Sequence, residues 1–215
     1  MPNDMPLSID LASAISSRIC HDLVSPVGAI VNGIDLVREI GAAGLDDEIA
    51  MIGQSASRAS GLLQFYRLAF GAAPDDSQPL GRTILRDHAQ SVINWQRISL
   101  NWDKTDGPPL SRAEGKLLCL LLLCARSLTG MTGVIEVGLE ADATFPLHIT
   151  VATQGTASTD ERLAMLSGTA DILDPTAQLV EFALVRSTAK DIGVRLHTAR
   201  TAERITLMAA PAEFS

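Results

Sequence analysis

Residues 17–30, Ser-Ser-Arg-Ile-Cys-His-Asp-Leu-Val-Ser-Pro-Val-Gly-Ala, place a histidine, an acidic residue and a proline within one helical pattern. Apolar residues recur around them at the spacings of a single stripe on a long helix. His21 lies off this stripe, so its side chain is predicted to face solvent. Pro26 cannot donate to the carbonyl of Asp22, a defect worth about 3 kcal/mol in a helix interior, which predicts a local bend. The stripe consists of Leu11, Ile15, Ile19, Leu23, Ile30, Ile34 and Val37.

The composition is that of an acidic chain with an aliphatic core. The 215 residues include 17 basic and 25 acidic side chains, a net charge of −8, and are 47% hydrophobic but only 4% aromatic. Such a surface disfavours nucleic acids and anionic membranes as partners. The longest apolar run, 117–125, is much shorter than the roughly 20 residues of a membrane span. The first residues lack the pattern of a secretory signal, and Cys20, Cys119 and Cys124 form no disulfide framework. We therefore expect a cytoplasmic protein with reduced thiols.

Two long amphipathic helices are predicted before residue 71. The first runs from about residue 7 to residue 40 and the second from about residue 45 to residue 70, with a short glycine-containing turn between them. So short a connection predicts an antiparallel hairpin. A lone hairpin leaves small and aliphatic residues uncovered, whereas a twofold partner would bury them in a four-helix bundle. We therefore expect a homodimer through residues 7–70. The residues to be covered include Ala12, Ala56, Ala59 and Leu63.

The periodicity changes after a linker. Residues 71–80 have linker composition, which divides the chain into a hairpin domain at 1–72, a linker at 73–80 and a second domain at 81–215. In the second domain, helical and alternating patterns follow one another, which predicts helices on one face of a mixed sheet, an α/β sandwich. The fold class is thus α+β. The predicted helices are 82–92, 111–128, 159–166 and 175–191, and the predicted strands are 98–102, 134–139, 147–151, 194–198 and 205–208.

The segment His21-Asp22-Leu23-Val24-Ser25-Pro26 resembles the H-box of the dimerisation and phosphotransfer (DHp) domain of sensor histidine kinases. In that box a histidine is followed by an acidic residue and, at the fifth place after it, by a proline. The resemblance implies that His21 accepts a phosphoryl group and that residues 1–72 form a dimeric four-helix bundle.

The second domain resembles the ATP-binding (HATPase, Bergerat-like) domain of the same kinases, but its nucleotide-binding positions are changed. Leu120 and Cys124 stand where the family has asparagines, and neither offers an oxygen ligand to magnesium. Thr153 replaces the adenine-binding aspartate, and Ala157 replaces a glycine of the same motif. Bare backbone amides are needed to cradle phosphates, so the loss of the lid glycines also argues against ATP binding. Their places fall on Ala177, Leu179 and Glu181.

A kinase-like scaffold that keeps the histidine without a nucleotide site is similar to the histidine phosphotransferases of the ChpT type, from alphaproteobacterial phosphorelays. The resemblance implies that His21 takes a phosphoryl group from a receiver aspartate of a hybrid histidine kinase and passes it to a response regulator. Asp22 would bind the other ring nitrogen and stabilise the developing charge. No cofactor or metal is expected on this chain, and magnesium would come with the partner receiver. Receiver docking is expected one turn either side of His21, at Ser17, Arg18, Val24, Ser25 and Gly28.

Two other functions stay open from the sequence. An autokinase with an atypical ATP site would label itself from ATP, and a non-catalytic receiver-binding module would not need His21. The second domain could help to dock the receiver or only brace the bundle. The remaining histidines are interpreted as having no functional role, and His148 is expected on the outward face of its strand; they are His88, His148 and His197. The buried-type cysteines, the tryptophans and two methionines are interpreted as packing residues; they are Cys119, Cys124, Trp95, Trp102, Met51 and Met131.

Overall fold

The structure, a computed structural model, describes residues 9–40, 45–71, 79–93, 97–102, 107–130, 132–139, 147–152, 157–169 and 179–211. Within them the chain forms six helices and five strands. The helices are α1 (Ile9–Ile40), α2 (Asp46–Phe70), α3 (Arg82–Ile93), α4 (Arg112–Thr129), α5 (Ala157–Ser167) and α6 (Val180–Asp191). The strands are β1 (Arg97–Trp102), β2 (Thr132–Leu139), β3 (Leu147–Ala152), β4 (Val194–Arg200) and β5 (Arg204–Pro211).

The first two helices form the predicted antiparallel hairpin. α1 stays helical through Pro26, so the proline does not interrupt it. The two helices approach closely at Gly33, where an added Cβ would lie 2.6 Å from Cγ1 of Ile52. Only a glycine allows this approach without displacing the facing side chain. The turn at 41–44 lies outside the described residues.

The five strands form one mixed sheet in the order β1-β2-β3-β5-β4. β1 and β2 are parallel, and the other neighbouring strands are antiparallel. Along β3, Leu147, Ile149 and Val151 are buried, whereas His148 is exposed. The helices pack on the apolar side of this alternation. The predicted α+β class, with helices on one face of a mixed sheet, is confirmed.

α4 is the central helix of the fold. It begins with a capping box, in which Ser111 Oγ accepts from the Glu114 amide at 3.2 Å and Glu114 Oε2 accepts from the Ser111 amide at 2.7 Å. Residues 117–125 are all buried, because α4 packs against the sheet, α2, α3 and α6. This packing places the C-terminal end of α4 beside the helical hairpin.

The hairpin and the sheet share one apolar core. Leu62, Phe65, Tyr66 and Ala69 of α2 belong to the same buried cluster as α4 and the strands. The proposed linker at 73–80 lies mostly outside the described residues, so the domain boundaries stay a prediction. None of the described helices has the length and apolarity needed to cross a membrane.

Several packing predictions can be checked residue by residue. Cys119, Cys124 and Trp102 are buried, as predicted. The interpretation of Met51 as a packing residue is wrong within this chain, since Met51 lies on an uncovered face of α2 and is exposed. Trp95 lies outside the described residues. The helix predicted from residue 175 begins, within the described residues, at Val180.

Candidate functional site

His21 lies on the exposed side of α1, as predicted. Its side chain is 85% exposed. One ring nitrogen, Nδ1, lies 3.0 Å from Oδ1 of Asp22. The other nitrogen, Nε2, is at the far end of the ring and takes no part in this hydrogen bond. The arrangement presents one nitrogen of an oriented imidazole to an incoming partner.

Asp22 is held from inside the protein. Its side chain is 10% exposed. Oδ2 accepts a hydrogen bond from the hydroxyl of Tyr66 on α2 and a second, of 3.2 Å, from Nη1 of Arg126 on α4. Nε of Arg18 lies 3.5 Å from the same oxygen. Three helices therefore converge on one carboxylate.

The ionisation of Asp22 settles which nitrogen of His21 carries hydrogen. Burial alone would raise the pKa of Asp22, but the hydrogen bonds from Tyr66 and His21 and the charges of Arg18 and Arg126 outweigh it and lower that pKa. Asp22 is thus a carboxylate at neutral pH and only accepts hydrogen bonds. Nδ1 of His21 must then be the donor, so the neutral imidazole keeps its lone pair on Nε2.

Tyr66 is a fixed donor. Its ring packs edge-on against Phe65, with centroids 6.1 Å apart, and stacks on Phe70 at 5.4 Å. Burial, followed by the neighbouring charge of Asp22, raises the pKa of the Tyr66 hydroxyl. The hydroxyl therefore keeps its proton at neutral pH and donates it toward Asp22.

Arg18 is turned inward. Its side chain is only 14% exposed, and Nη1 lies 3.5 Å from Oε1 of Glu181 on α6. Glu181 is 0% exposed and also accepts a hydrogen bond of 3.2 Å from the hydroxyl of Ser127. Burial raises the pKa of Glu181 even though Arg18 opposes this. The expected docking role of Arg18 does not fit this placement, because its guanidinium is committed to contacts within the chain.

The other expected docking residues line the outside of α1. Val24 is 69% exposed, Ser17 and Ser25 are exposed, and Gly28 is half-buried. Ser25 and Pro26 also border a groove of about 450 Å3 between α1 and α2. Its other walls include Ala29, Gln54, Ser55 and Arg58.

Three of the positions that would serve a nucleotide, all in the described part of the chain, do not fit one. Leu120 and Cys124 are fully buried in α4, where they cannot reach a nucleotide or magnesium. Glu181, at a glycine place of the lid, is occupied by Arg18 and Ser127. Thr153 and Ala177 lie outside the described residues. Over the part of the chain that the structure describes, no group of three or more His, Cys, Asp and Glu is arranged to hold a metal ion.

The sequence analysis proposed His21, Asp22 and Arg18 as site residues but missed Tyr66 and Arg126, which bind Asp22 from other helices. The position of Arg126 could have indicated a polar partner, because a charged side chain in a buried apolar helix must have one. Tyr66 is the only tyrosine of the chain, and antiparallel pairing of two helices sets it across from α1 near Asp22. Nothing in the sequence pointed to Glu181 as the partner of Arg18.

Comparisons with known proteins agree with this geometry. A family model described as the histidine phosphotransferase C-terminal domain matches residues 83–204. The protein phosphotransferase ChpT of Brucella abortus (strain 2308) is 32% identical over 203 residues, which cover 94% of this chain and 96% of that protein. A solved structure described as a bacterial phosphotransferase superposes with a TM-score of 0.75 at 30% identity, covering 94% of this chain and 97% of that one.

Proposed function

Because this chain belongs to the histidine phosphotransferase family, we propose that it relays a phosphoryl group between receiver-domain aspartates through phosphohistidine on His21. The donor is the receiver of a hybrid histidine kinase, and the acceptors are response regulators. The observation that carries the proposal is the exposed ring of His21 with Nδ1 held by Asp22 at 3.0 Å.

The transfer uses the two ring nitrogens for different tasks. The lone pair of Nε2 attacks the phosphorus of the receiver's aspartyl phosphate, so that an N–P bond forms while the acyl O–P bond breaks. The electron pair of the broken bond stays on the receiver's carboxylate. The ring then carries a positive charge shared with Nδ1–H, and the carboxylate of Asp22 stabilises this charge. Reversal of these steps phosphorylates the acceptor.

Magnesium belongs to the receiver in this proposal. The buried Leu120 and Cys124 support this assignment, because neither can act as an oxygen ligand to a hard cation. The chain therefore works without a cofactor of its own, and the receiver's acidic pocket supplies the metal to the transferring group.

The receiver docks on the outer face of α1. Ser17, Val24, Ser25 and Gly28 surround His21 there, and an added Cβ at Gly28 would find no atom within 4 Å. A receiver must bring its aspartate within bonding distance of Nε2, so a surface beside the histidine without bulky obstruction supports this docking mode.

The hairpin dimerises into a four-helix bundle. Val27, Val31 and Ile34 form an exposed apolar stripe on α1. Ile49 and Leu63, with the exposed Ala56 midway between them, form one on α2. Leaving such stripes in water is unfavourable, and a twofold partner would cover both. Sedimentation at micromolar concentration should give the mass of two chains, and Leu63→Glu should give one.

The reducing cytoplasm is the compartment that we assign to this reaction. Cys20 is a free exposed thiol, and Cys119 and Cys124 are free and buried. Free thiols on a chain without a disulfide among its described residues suit a reducing compartment.

The test is transfer of label from a purified phosphorylated receiver. The wild-type chain should take up the label, His21→Ala should take up none, and His148→Ala, which removes another exposed histidine, should behave as wild type. Uptake by His21→Ala would refute the proposal. Labelling of the isolated chain by ATP would favour an autokinase, and receiver binding without label transfer would favour a non-catalytic module.

A further inference from the structure

The two oxygens of Asp22 have separate partners. Oδ1 accepts from His21, whereas Oδ2 accepts from Tyr66 and Arg126. Arg126 lies 104 residues further along the chain, on α4. One oxygen of this carboxylate therefore faces the exposed histidine, and the other is bound by the interior of the protein.

The contact between His21 and Asp22 needs such help. Adjacent residues of an α-helix point in directions about 100° apart, so side chains at i and i+1 do not normally face each other. An unanchored aspartate at this place would rotate toward solvent or toward its own helix backbone. Two donors on Oδ2 hold the Asp22 carboxylate in the one orientation that turns Oδ1 toward Nδ1 of His21.

We propose that Arg126 and Tyr66 are positioning residues for phosphotransfer: they bind Oδ2 of Asp22, keep Oδ1 on Nδ1 of His21, and so leave Nε2 as the attacking nitrogen. This inference rests on the proposed role of His21 as phosphoryl acceptor. It gives the second half of the chain, in which Leu120 and Cys124 are buried, a direct part in preparing the nucleophile.

The end of α4 is fixed well enough for this task. Ser127, the residue after Arg126, donates from its hydroxyl to the buried Glu181, and its carbonyl accepts a hydrogen bond of 2.7 Å from Arg162. Arg18 joins the same cluster, since it lies 3.5 Å from both Glu181 and Asp22. Positioning of a reactive group depends on such support, because a loosely held partner lets the geometry drift.

The quantity to measure is the fraction of His21 rings that carry their hydrogen on Nδ1. ¹⁵N NMR of the ring-labelled protein, without any receiver, reports the share of molecules with hydrogen on Nδ1. We expect this tautomer to dominate in the wild-type chain and to lose its majority in Tyr66→Phe and in Arg126→Met. Tyr66→Phe removes only the hydroxyl, so the ring contacts with Phe65 and Phe70 persist and the variant should fold.

Transfer kinetics separate positioning from docking. Both variants should lower kcat for transfer by about 10-fold or more and leave KM for the receiver unchanged, because neither residue lies on the outer face of α1. Arg126→Lys, which keeps a donor, should recover part of the rate. Arg200→Met is the matched control, since it removes an arginine that pairs with Asp160 on the same half of the chain, and it should change neither readout.

The inference fails if both variants keep the Nδ1–H tautomer, or if the tautomer shifts while kcat stays at the wild-type value. It also fails if the whole loss appears in KM. Failure of the proposed function looks different: His21→Ala would then still carry label, whatever the tautomer of the wild-type ring.

Discussion

The substitution Arg18→Met tests the electrostatic interactions around α1, the helix that carries His21. Arg18 lies between two carboxylates, with Nη1 3.5 Å from Glu181 and Nε 3.5 Å from Asp22. Methionine keeps the apolar stem and removes the charge. Asp22 retains Tyr66 and Arg126, whereas Glu181, which is fully buried, retains the hydroxyl of Ser127, a backbone hydrogen bond and the charge of Arg162.

The expected loss of stability follows from this difference between Asp22 and Glu181. Removing one partner of a buried ion pair typically costs about 3 to 5 kcal/mol, because the other charge stays buried without compensation. Ser127 still donates to Glu181, and Glu181 can take up a proton, so we expect about 3 kcal/mol at neutral pH. With a typical urea dependence, this loss lowers the unfolding midpoint by about 1 to 2 M.

The pH dependence has a definite sign. Burial raises the pKa of Glu181 above its ordinary value of 4.5, so the folded state holds this proton at pH values where the unfolded chain has lost it. Stability then falls as pH rises from the unfolded pKa through the folded one. Without Arg18 the folded pKa rises further. The cost of Arg18→Met should therefore be small near pH 4 and full at pH 7.

Urea unfolding of wild type and variant at pH 4 and pH 7 measures this directly. The double variant Arg18→Met/Glu181→Met should return to within about 1 to 2 kcal/mol of wild type at pH 7, because an apolar pair replaces the buried ion pair. A cost for Arg18→Met below about 1 kcal/mol at pH 7, an equal cost at both pH values, or no recovery in the double variant would refute the reasoning.

Four further substitutions probe the hairpin. Gly33→Ala should destabilise the folded chain by about 1 to 3 kcal/mol, because its Cβ would lie 2.6 Å from Ile52. Gly53→Ala should stabilise the folded chain by about 0.5 to 1 kcal/mol, because a Cβ there meets nothing within 4 Å. Thermal unfolding of both variants measures the contrast. Pro26→Ala should raise the melting temperature, because the helix regains a hydrogen bond to the carbonyl of Asp22, and an unchanged melting temperature would contradict this. The same variant should slow phosphoryl transfer, because it removes the helix geometry that the proline imposes beside His21. Val24→Asp should raise KM for the receiver without loss of stability in urea, and an unchanged KM would exclude Val24 from the docking surface.

Local sequence patterns were sufficient to predict the helices and strands of this fold. The alternation at Leu147, Ile149 and Val151 and the long stripe on α1 each reflect one buried face, which is visible in a few neighbouring residues. The capping box of Ser111 and Glu114 marks the start of α4 in the same local way. The hairpin and the sheet with helices on one face were therefore predictable.

The inner half of the site was not predictable in that way. Helix periodicity groups Arg18 with His21 on one side of α1, but it does not tell which part of that side another helix covers. α6 covers Arg18 and leaves His21 in solvent, a choice made by packing between elements far apart in sequence. The same holds for Tyr66 and Arg126, which meet Asp22 only once α2 and α4 have packed together.

The most direct test of the central claim is to find the atom that carries the phosphoryl group. The chain, with ¹⁵N in its histidine rings, is phosphorylated by a receiver and examined by ³¹P–¹⁵N NMR. We expect phosphorus coupled to Nε2 of His21, with hydrogen still on Nδ1. Phosphorus on Nδ1 of His21, or on any other residue, would contradict the claim.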